Sequence, residues 1–341
     1  MQPRLKLSVR FVSKCFLLLL VVLLLAGIGY EQIGERQERK RFPQVGRSVD
    51  IGGRSLNIYC SGVGKPAVIL DTGGTAPGYE NLLFQQQVAQ FTQACWFDRA
   101  GLGWSDPSPI EQTSAAVADD LHALLHSASV PPPYLLVGAS FSGFNVRAFT
   151  GKYPAEVAGV VLVDSAHEEQ YRYEPRVTVA PINRLPKRIR NLLCAGVPLA
   201  ARVGLVRLLL KTSQPPRNIP PGFTAEQAAT FEGLELQTKS FEAAAVCNFE
   251  EKVSEQMRTA GNLGDRPLIV LTAGQPFRVG DPEADKELAA FHEIWAHQLQ
   301  PQLARLSTRG QQVIVENSGH VIDPNAILKA IQEMTMEIRR K

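Results

Sequence analysis

The stretch Tyr134–Arg147, Y-L-L-V-G-A-S-F-S-G-F-N-V-R, constrains the fold more than any other part of the chain. An apolar run, Tyr134–Val137, breaks at Gly138; Ser140 follows between small residues, and a second periodic run begins at Phe144. That order predicts a strand, a sharp turn carrying a serine, and a helix, which is the context of a nucleophile elbow. In the pattern G-x-S-x-G the last position is Ser142 here, with Gly143 just after it. Small residues are needed because such a turn brings the helix close against the strand, and serine is the next smallest choice. An ordinary turn has the same composition, so this stretch alone leaves the role of Ser140 open.

From Pro43 onward the chain alternates strand and helix signals, which argues for a three-layer α/β fold with a mostly parallel sheet. Arg47–Ile51 and Ser55–Cys60 flank Gly52-Gly53, a two-residue hairpin signal. Further strands are expected at Ala67–Leu70, Ala94–Asp98, Tyr134–Val137, Val157–Val163, Arg266–Leu271 and Gln312–Val315. Helical spacing covers Glu80–Phe91, Thr113–Ser127 with Thr113 or Ser114 as cap, and a closing amphipathic helix at Ala326–Arg339. Between Asp164 and Asp265 there is no strand character, only helical patches (Arg188–Lys211, Ala225–Thr259) interrupted by prolines. A segment that long between two strands of one sheet is not a plain loop, and it reads as an inserted helical cap. Its first half is basic and rich in leucine, which suits either a membrane-facing surface or the solvated side of a cap helix.

The N-terminus differs from the rest. Arg4, Lys6, Arg10 and Lys14 precede an unbroken apolar run from Cys15 to Tyr30. With Phe11 and Val12 added and Lys14 snorkelling, the run reaches the ~20 residues that cross a bilayer. A signal anchor and a cleaved signal peptide both fit; Gly27-x-Gly29 is the only weak cleavage site. Basic residues on both flanks leave the orientation undecided, although one N-terminal segment before a folded domain normally exports that domain. The expected organisation is an anchor over 1–30, a linker over 31–45, core over 46–164, cap over 165–265 and core again over 266–341. A net charge of +3 and the lack of a basic run interleaved with aromatics argue against a nucleic-acid partner. Outside the anchor, Cys60, Cys95, Cys194 and Cys247 permit two disulfides or four buried thiols.

Taken in order, the motifs resemble the α/β-hydrolase superfamily over almost all of Val49–Arg339. D-T-G-G (Asp71–Gly74) stands after the third strand, and D-R-A-G-L-G-W-S (Asp98–Ser105) after the fourth. The serine turn follows the fifth strand, and N-S-G-H (Asn317–His320) follows the last. Within the superfamily the chain is similar to bacterial membrane-anchored hydrolases of the esterase and proline-iminopeptidase kind. The resemblance implies an eight-stranded sheet whose second strand runs antiparallel beside the fourth. That would place Cys60 next to Cys95 and leave Cys194 for Cys247, in keeping with an oxidising compartment.

It also implies catalytic residues in the chain order serine, acid, histidine. These are Ser140 as nucleophile, Asp164 as acid and His320 as base. Many members carry the acid after the seventh strand, but Thr272–Gln275 holds no carboxylate, so Asp164 after the sixth strand is preferred and Asp281 is the alternative. The oxyanion hole would use the backbone N–H groups of Gly74 and Phe141. The expected reaction is acyl transfer from a carboxylic ester or amide of a small molecule. The alternatives are a non-catalytic binding protein on the same fold, or an aminopeptidase or acyltransferase using the same triad. No cofactor and no metal is implied.

Overall fold

The alternating elements assemble into a single eight-stranded sheet in the computed structural model, which describes residues 9–175, 186–213, 219–244 and 249–340. The strands are β1 (Arg47–Asp50), β2 (Ser55–Ser61), β3 (Ala67–Asp71), β4 (Ala94–Phe97), β5 (Tyr134–Ala139), β6 (Val157–Val163), β7 (Leu268–Ala273) and β8 (Gly310–Val315). Their order across the sheet is β1-β2-β4-β3-β5-β6-β7-β8. Only β2 runs against its neighbours β1 and β4; the other pairs are parallel. The central strands read as continuous Val/Ile/Leu runs because helices cover both faces, and β3 and β7 are buried along their whole length.

An N-terminal helix, α1 (Val9–Arg41), precedes the sheet. The helices laid on it are α2 (Leu82–Val88), α3 (Ser114–Ser127) and α4 (Ser142–Lys152). Between β6 and β7 lie α5 (Lys187–Arg202), α6 (Leu205–Ser213), α7 (Ala225–Glu235), α8 (Thr238–Ala244) and α9 (Phe249–Thr259). After β7 come α10 (Pro282–Ile294), one π-helical turn (Trp295–Leu299), α11 (Gln300–Ala304) and, after β8, α12 (Pro324–Arg339). Leu121 and Leu125 of α3, Phe144 and Phe149 of α4 and Leu303 of α11 fill the core on one face of the sheet. Val88 of α2 and Ile331 and Met334 of α12 fill it on the other. The three layers are therefore as expected.

Three expectations change in detail. The 80–91 segment opens with a 3-10 turn (Gly78–Asn81) before α2 begins. The patch Arg188–Lys211 is two helices that meet at 85°, because the chain turns at Val203-Gly204 with Gly204 at φ +70°. The patch Ala225–Thr259 divides into α7, α8 and α9, with 245–248 outside the described residues. Thr113 does cap α3, accepting from Ala116 N–H at 3.3 Å.

The linker expected over 31–45 is a correction. Helix α1 continues without a break to Arg41. The reason is a face of carboxylates at helical spacing, Glu31, Glu35 and Glu38, that meets cationic and polar partners from the 165–265 segment. Arg207, 1% exposed at its side chain, donates to both oxygens of Glu31 at 2.9 Å and also to Glu38. Glu35 accepts from Thr238 N–H at 3.1 Å. Charges that read from sequence as a solvated linker or the frayed end of the anchor helix are partners of this segment, and Glu31 is buried against it.

Cys60 and Cys95 are register partners across β2 and β4 and form a disulfide. Cys194 is also disulfide-bonded, while Cys247 lies outside the described residues.

Candidate active site

Ser140 sits at the sharp turn between β5 and α4 with φ +52°, a conformation that costs a residue bearing a Cβ. Surrounding hydrogen bonds hold it there: Ser140 N–H donates to Val163 O at 2.9 Å, and Ser140 O accepts from Ala166 N–H at 2.9 Å. Ser142 points the other way. Its hydroxyl is fully buried and bonds the carbonyls of Asp71 at 2.9 Å and Ala139 at 2.8 Å, so it ties the ends of β3 and β5 together. The true close approach falls one residue later, where a Cβ on Gly143 would lie 2.5 Å from the Ser165 Cβ.

Asp164 ends β6, also at positive φ, +41°. Its Oδ2 bonds His320 Nδ1 at 2.7 Å. Its Oδ1 accepts from Ala273 N–H at 2.9 Å and from Trp295 Nε1 at 2.8 Å. His320 lies in the loop after β8, and its Nε2 is 3.0 Å from Ser140 Oγ. Bonding to Asp164 raises the pKa of His320 above its ordinary 6.5, and burial opposes the rise only in part. The carboxylate is sheltered, whereas about half of the His320 side chain faces solvent. Asp281 plays a different part: it caps α10, accepting from Glu283 and Ala284 N–H. Gln275, after β7, donates to Glu316 O at 2.8 Å and so braces the loop that carries His320.

The glycine loop after β3 meets the turn from above. A Cβ on Gly73 would lie 3.0 Å from Ser140 Cβ, tighter than ordinary van der Waals contact, so glycine eases this close approach. Gly74 follows at φ +52°, and its carbonyl accepts from Arg99. Phe141, the other expected donor, directly precedes α4, whose N-terminus carries the positive end of the helix dipole. Below the loop, Asp71 accepts from Asn145 at 2.9 Å and faces Arg99 at 3.6 Å. Burial raises the Asp71 pKa, and Arg99 opposes it.

The structure supplies partners that sequence reasoning missed. Trp295 reaches Asp164 from a π-helical turn, a feature common at functional sites and without a clear sequence signal. Arg147, buried in α4, makes a two-pronged ion pair with Glu168 at 2.7 and 3.0 Å. Away from the site, His122 and His126, one turn apart on α3, both direct Nε2 at Glu156 Oε1 (3.1 and 2.9 Å). Among the described residues these three could hold a metal ion, but they lie before β6, at the opposite end of that strand from Asp164. The remaining histidines have local partners: His167 Nδ1 accepts from Glu169 N–H, His292 bonds Ala273 O, and His297 pairs with Glu293.

A family model described as the alpha/beta hydrolase fold matches residues 81–181. Known structures agree over nearly the whole chain. A thermophilic esterase from Thermogutta terrifontis superposes with a TM-score of 0.56 at 18% identity, covering 86% of this chain and 98% of that one. An epoxide hydrolase superposes at 0.59 with 16% identity, covering 86% and 99%. The chain has the α/β-hydrolase fold, and its residues 81–181 match that fold's family model. Among curated sequences it is 26% identical over 223 residues to an uncharacterized Bacillus subtilis protein, YbdG, covering 65% of each. It is also 32% identical over 109 residues to an uncharacterized vacuolar membrane protein of Saccharomyces cerevisiae, 31% of this chain and 17% of that one. The matches thus span less than two thirds of either relative.

Proposed function

We propose that the protein is a membrane-anchored serine hydrolase that cleaves a carboxylic ester through an acyl-enzyme on Ser140. The observation that carries this reading is the unbroken relay Ser140 Oγ–His320 Nε2–His320 Nδ1–Asp164 Oδ2, with spacings of 3.0 and 2.7 Å. A serine hydroxyl is a weak nucleophile until a held base removes its proton. In the proposed reaction Ser140 Oγ bonds the ester carbon and its proton passes to His320 Nε2. The developing oxyanion is met by backbone N–H groups of Phe141 and Gly74. Collapse breaks the bond to the alcohol, which leaves with the proton from His320. Water, deprotonated by the same imidazole, then releases the acid. Asp164, held by Ala273 and Trp295, fixes the ring so that Nε2 faces the serine and balances its positive charge.

Helix α1 is long and apolar enough to cross a membrane, and its apolar window is fully exposed. A soluble protein buries such a surface, which supports the anchor reading. The Cys60–Cys95 disulfide supports an extracytoplasmic catalytic domain.

The test is labelling by a fluorophosphonate probe together with hydrolysis of a water-soluble p-nitrophenyl ester. Wild type and Ser142→Ala are expected to label, and Ser140→Ala to lose both label and turnover. Labelling that survives in Ser140→Ala, or a wild type that neither labels nor hydrolyses, refutes the proposal.

A further inference from the structure

Helix α6 is amphipathic in reverse, and α5 beside it also turns leucines outward. On α6 the inward residue is Arg207, while Leu205, Leu208 and Leu209 face outward. On α5, Leu192 is 73% exposed and Leu199 61%. A helix laid on a soluble domain turns its leucines inward and its charges outward, so this surface is built for a medium other than water. It does not stand alone. The turn between the two helices packs on α1 where the apolar run gives way to charge. A Cβ on Gly27 would meet Val203 O at 2.3 Å, one on Gly204 would meet Gly27 O at 2.8 Å, and Arg207 holds Glu31 just beyond. The leucine-bearing helices therefore meet at a turn packed against the end of α1's exposed apolar run, residues 11–25. Arg188 and Lys211, both exposed, flank the leucines and suit anionic headgroups.

We infer that α5 and α6 lie in the headgroup–acyl boundary of the membrane that holds α1, and that the substrate is a lipid-borne ester taken from that membrane. The substrate clause rests on the proposed function; the position of the helices does not. The same insertion also reaches the glycine loop. Phe223, between α6 and α7, packs on Tyr79 at 5.6 Å between ring centres, five residues after Gly74. Lipid contact at α5 and α6 thus belongs to the same inserted segment that packs on the turn following the glycine loop. The two helices meet at 85° with Arg207 pinned beneath the bend, so they do not form one straight span. An ester in the outer acyl region would then reach the site without passing through bulk water.

The experiment uses the full chain reconstituted into vesicles of phosphatidylcholine and phosphatidylglycerol. In a Cys15→Ala background, Leu192→Cys, Leu209→Cys and Val63→Cys are labelled singly with an environment-sensitive fluorophore. Lipids carrying a spin label high on the acyl chain should quench the first two and spare Val63, which is 87% exposed on the turn before β3. Equal quenching at all three sites, or none at Leu192 and Leu209, overturns the position of the helices. A blue-shifted emission at those two without lipid quenching means that a second protein copy covers the face, and overturns it equally. For the substrate, the Leu192→Glu/Leu209→Glu variant should lose roughly tenfold or more in kcat/KM for a vesicle-borne ester, the scale on which partition follows buried apolar area. Its turnover of a water-soluble ester should stay at the wild-type level. Parallel loss on both substrates, or on neither, refutes the lipid assignment. A wild type inactive on every ester sinks the proposed function but leaves the quenching result standing.

Discussion

Trp295 Nε1 donates to Asp164 Oδ1 at 2.8 Å, on the oxygen that His320 does not use. The carboxylate is thereby held from two sides, and a π-helical turn supplies the second. Trp295→Phe keeps most of the buried ring and removes the donor. A hydrogen bond to a charged group is worth about 1.5–3 kcal/mol, so kcat is expected to fall about tenfold or more. KM for a soluble ester should be nearly unchanged, because Trp295 acts through Asp164. Steady-state kinetics separate this from a packing defect, which would lower the amount of folded enzyme and leave kcat per active site intact.

The pH dependence follows from the His320–Asp164 bond. In the proposed mechanism His320 must be neutral to accept a proton, and its pKa is raised above 6.5 mainly by that bond. The acid limb of kcat/KM should therefore fall on the alkaline side of 6.5. In Asp164→Asn the raising partner is gone, so the limb moves to lower pH while the plateau drops by several orders of magnitude. The sign for stability is the opposite. The pair favours the protonated ring, so its contribution is present at low pH and lost as pH rises through the raised value. A rate profile and a thermal-melt profile on the same samples check both.

Arg147 and Glu168 set the acid stability of the elbow helix. Burial alone would raise the Glu168 pKa, but the bonds and charge of Arg147 outweigh it and hold the group at about 2, against an ordinary 4.5. That difference corresponds to about 3 kcal/mol, present above pH 4.5 and lost as pH falls towards 2. Arg147→Met leaves a carboxylate buried without its partner, and unfolding in urea at pH 7 should show a loss of about 3–5 kcal/mol. Its acid transition should also be shallower than that of wild type between pH 4.5 and 2.

The Cys60–Cys95 bridge closes a loop with a sequence separation of 35 between two core strands. By loop entropy its removal in Cys60→Ala/Cys95→Ala should cost about 3–4 kcal/mol. Denaturant unfolding of wild type and variant at pH 7 measures the difference. Equal midpoints would show that the antiparallel pairing of β2 and β4 needs no covalent support.

Ser142→Ala removes one buried hydroxyl that two carbonyls share. The expected cost is about 1–2 kcal/mol in urea unfolding, with ester turnover within a few-fold of wild type. Large loss of turnover without loss of stability would mean that Ser142 has a part in the chemistry.

Local patterns made the sheet, its flanking helices and the serine turn legible in the sequence. Strands β3, β5, β6 and β7 are short apolar runs bounded by turn residues, and period and punctuation are properties of neighbouring positions. The order of motifs pointed to Ser140, Asp164 and His320, which the structure brings within hydrogen-bonding distance of one another, because residues at strand ends are placed by topology before any packing detail is known. What only the tertiary structure decided depends on partners far apart in the chain. Glu31 and Glu38 read as part of a solvated linker or a frayed helix end until Arg207, about 170 positions away, pairs with both; helix α1 runs on to Arg41. Asp281 and Asp164 are both carboxylates after strands, and which one meets His320 is settled by distance alone. Trp295 has no local signature, since a π-helical turn aims a side chain by one inserted residue, and its target lies 131 positions earlier. Periodicity reports which face of a helix is apolar. Which way that face points, as on α6, is set by what packs behind it.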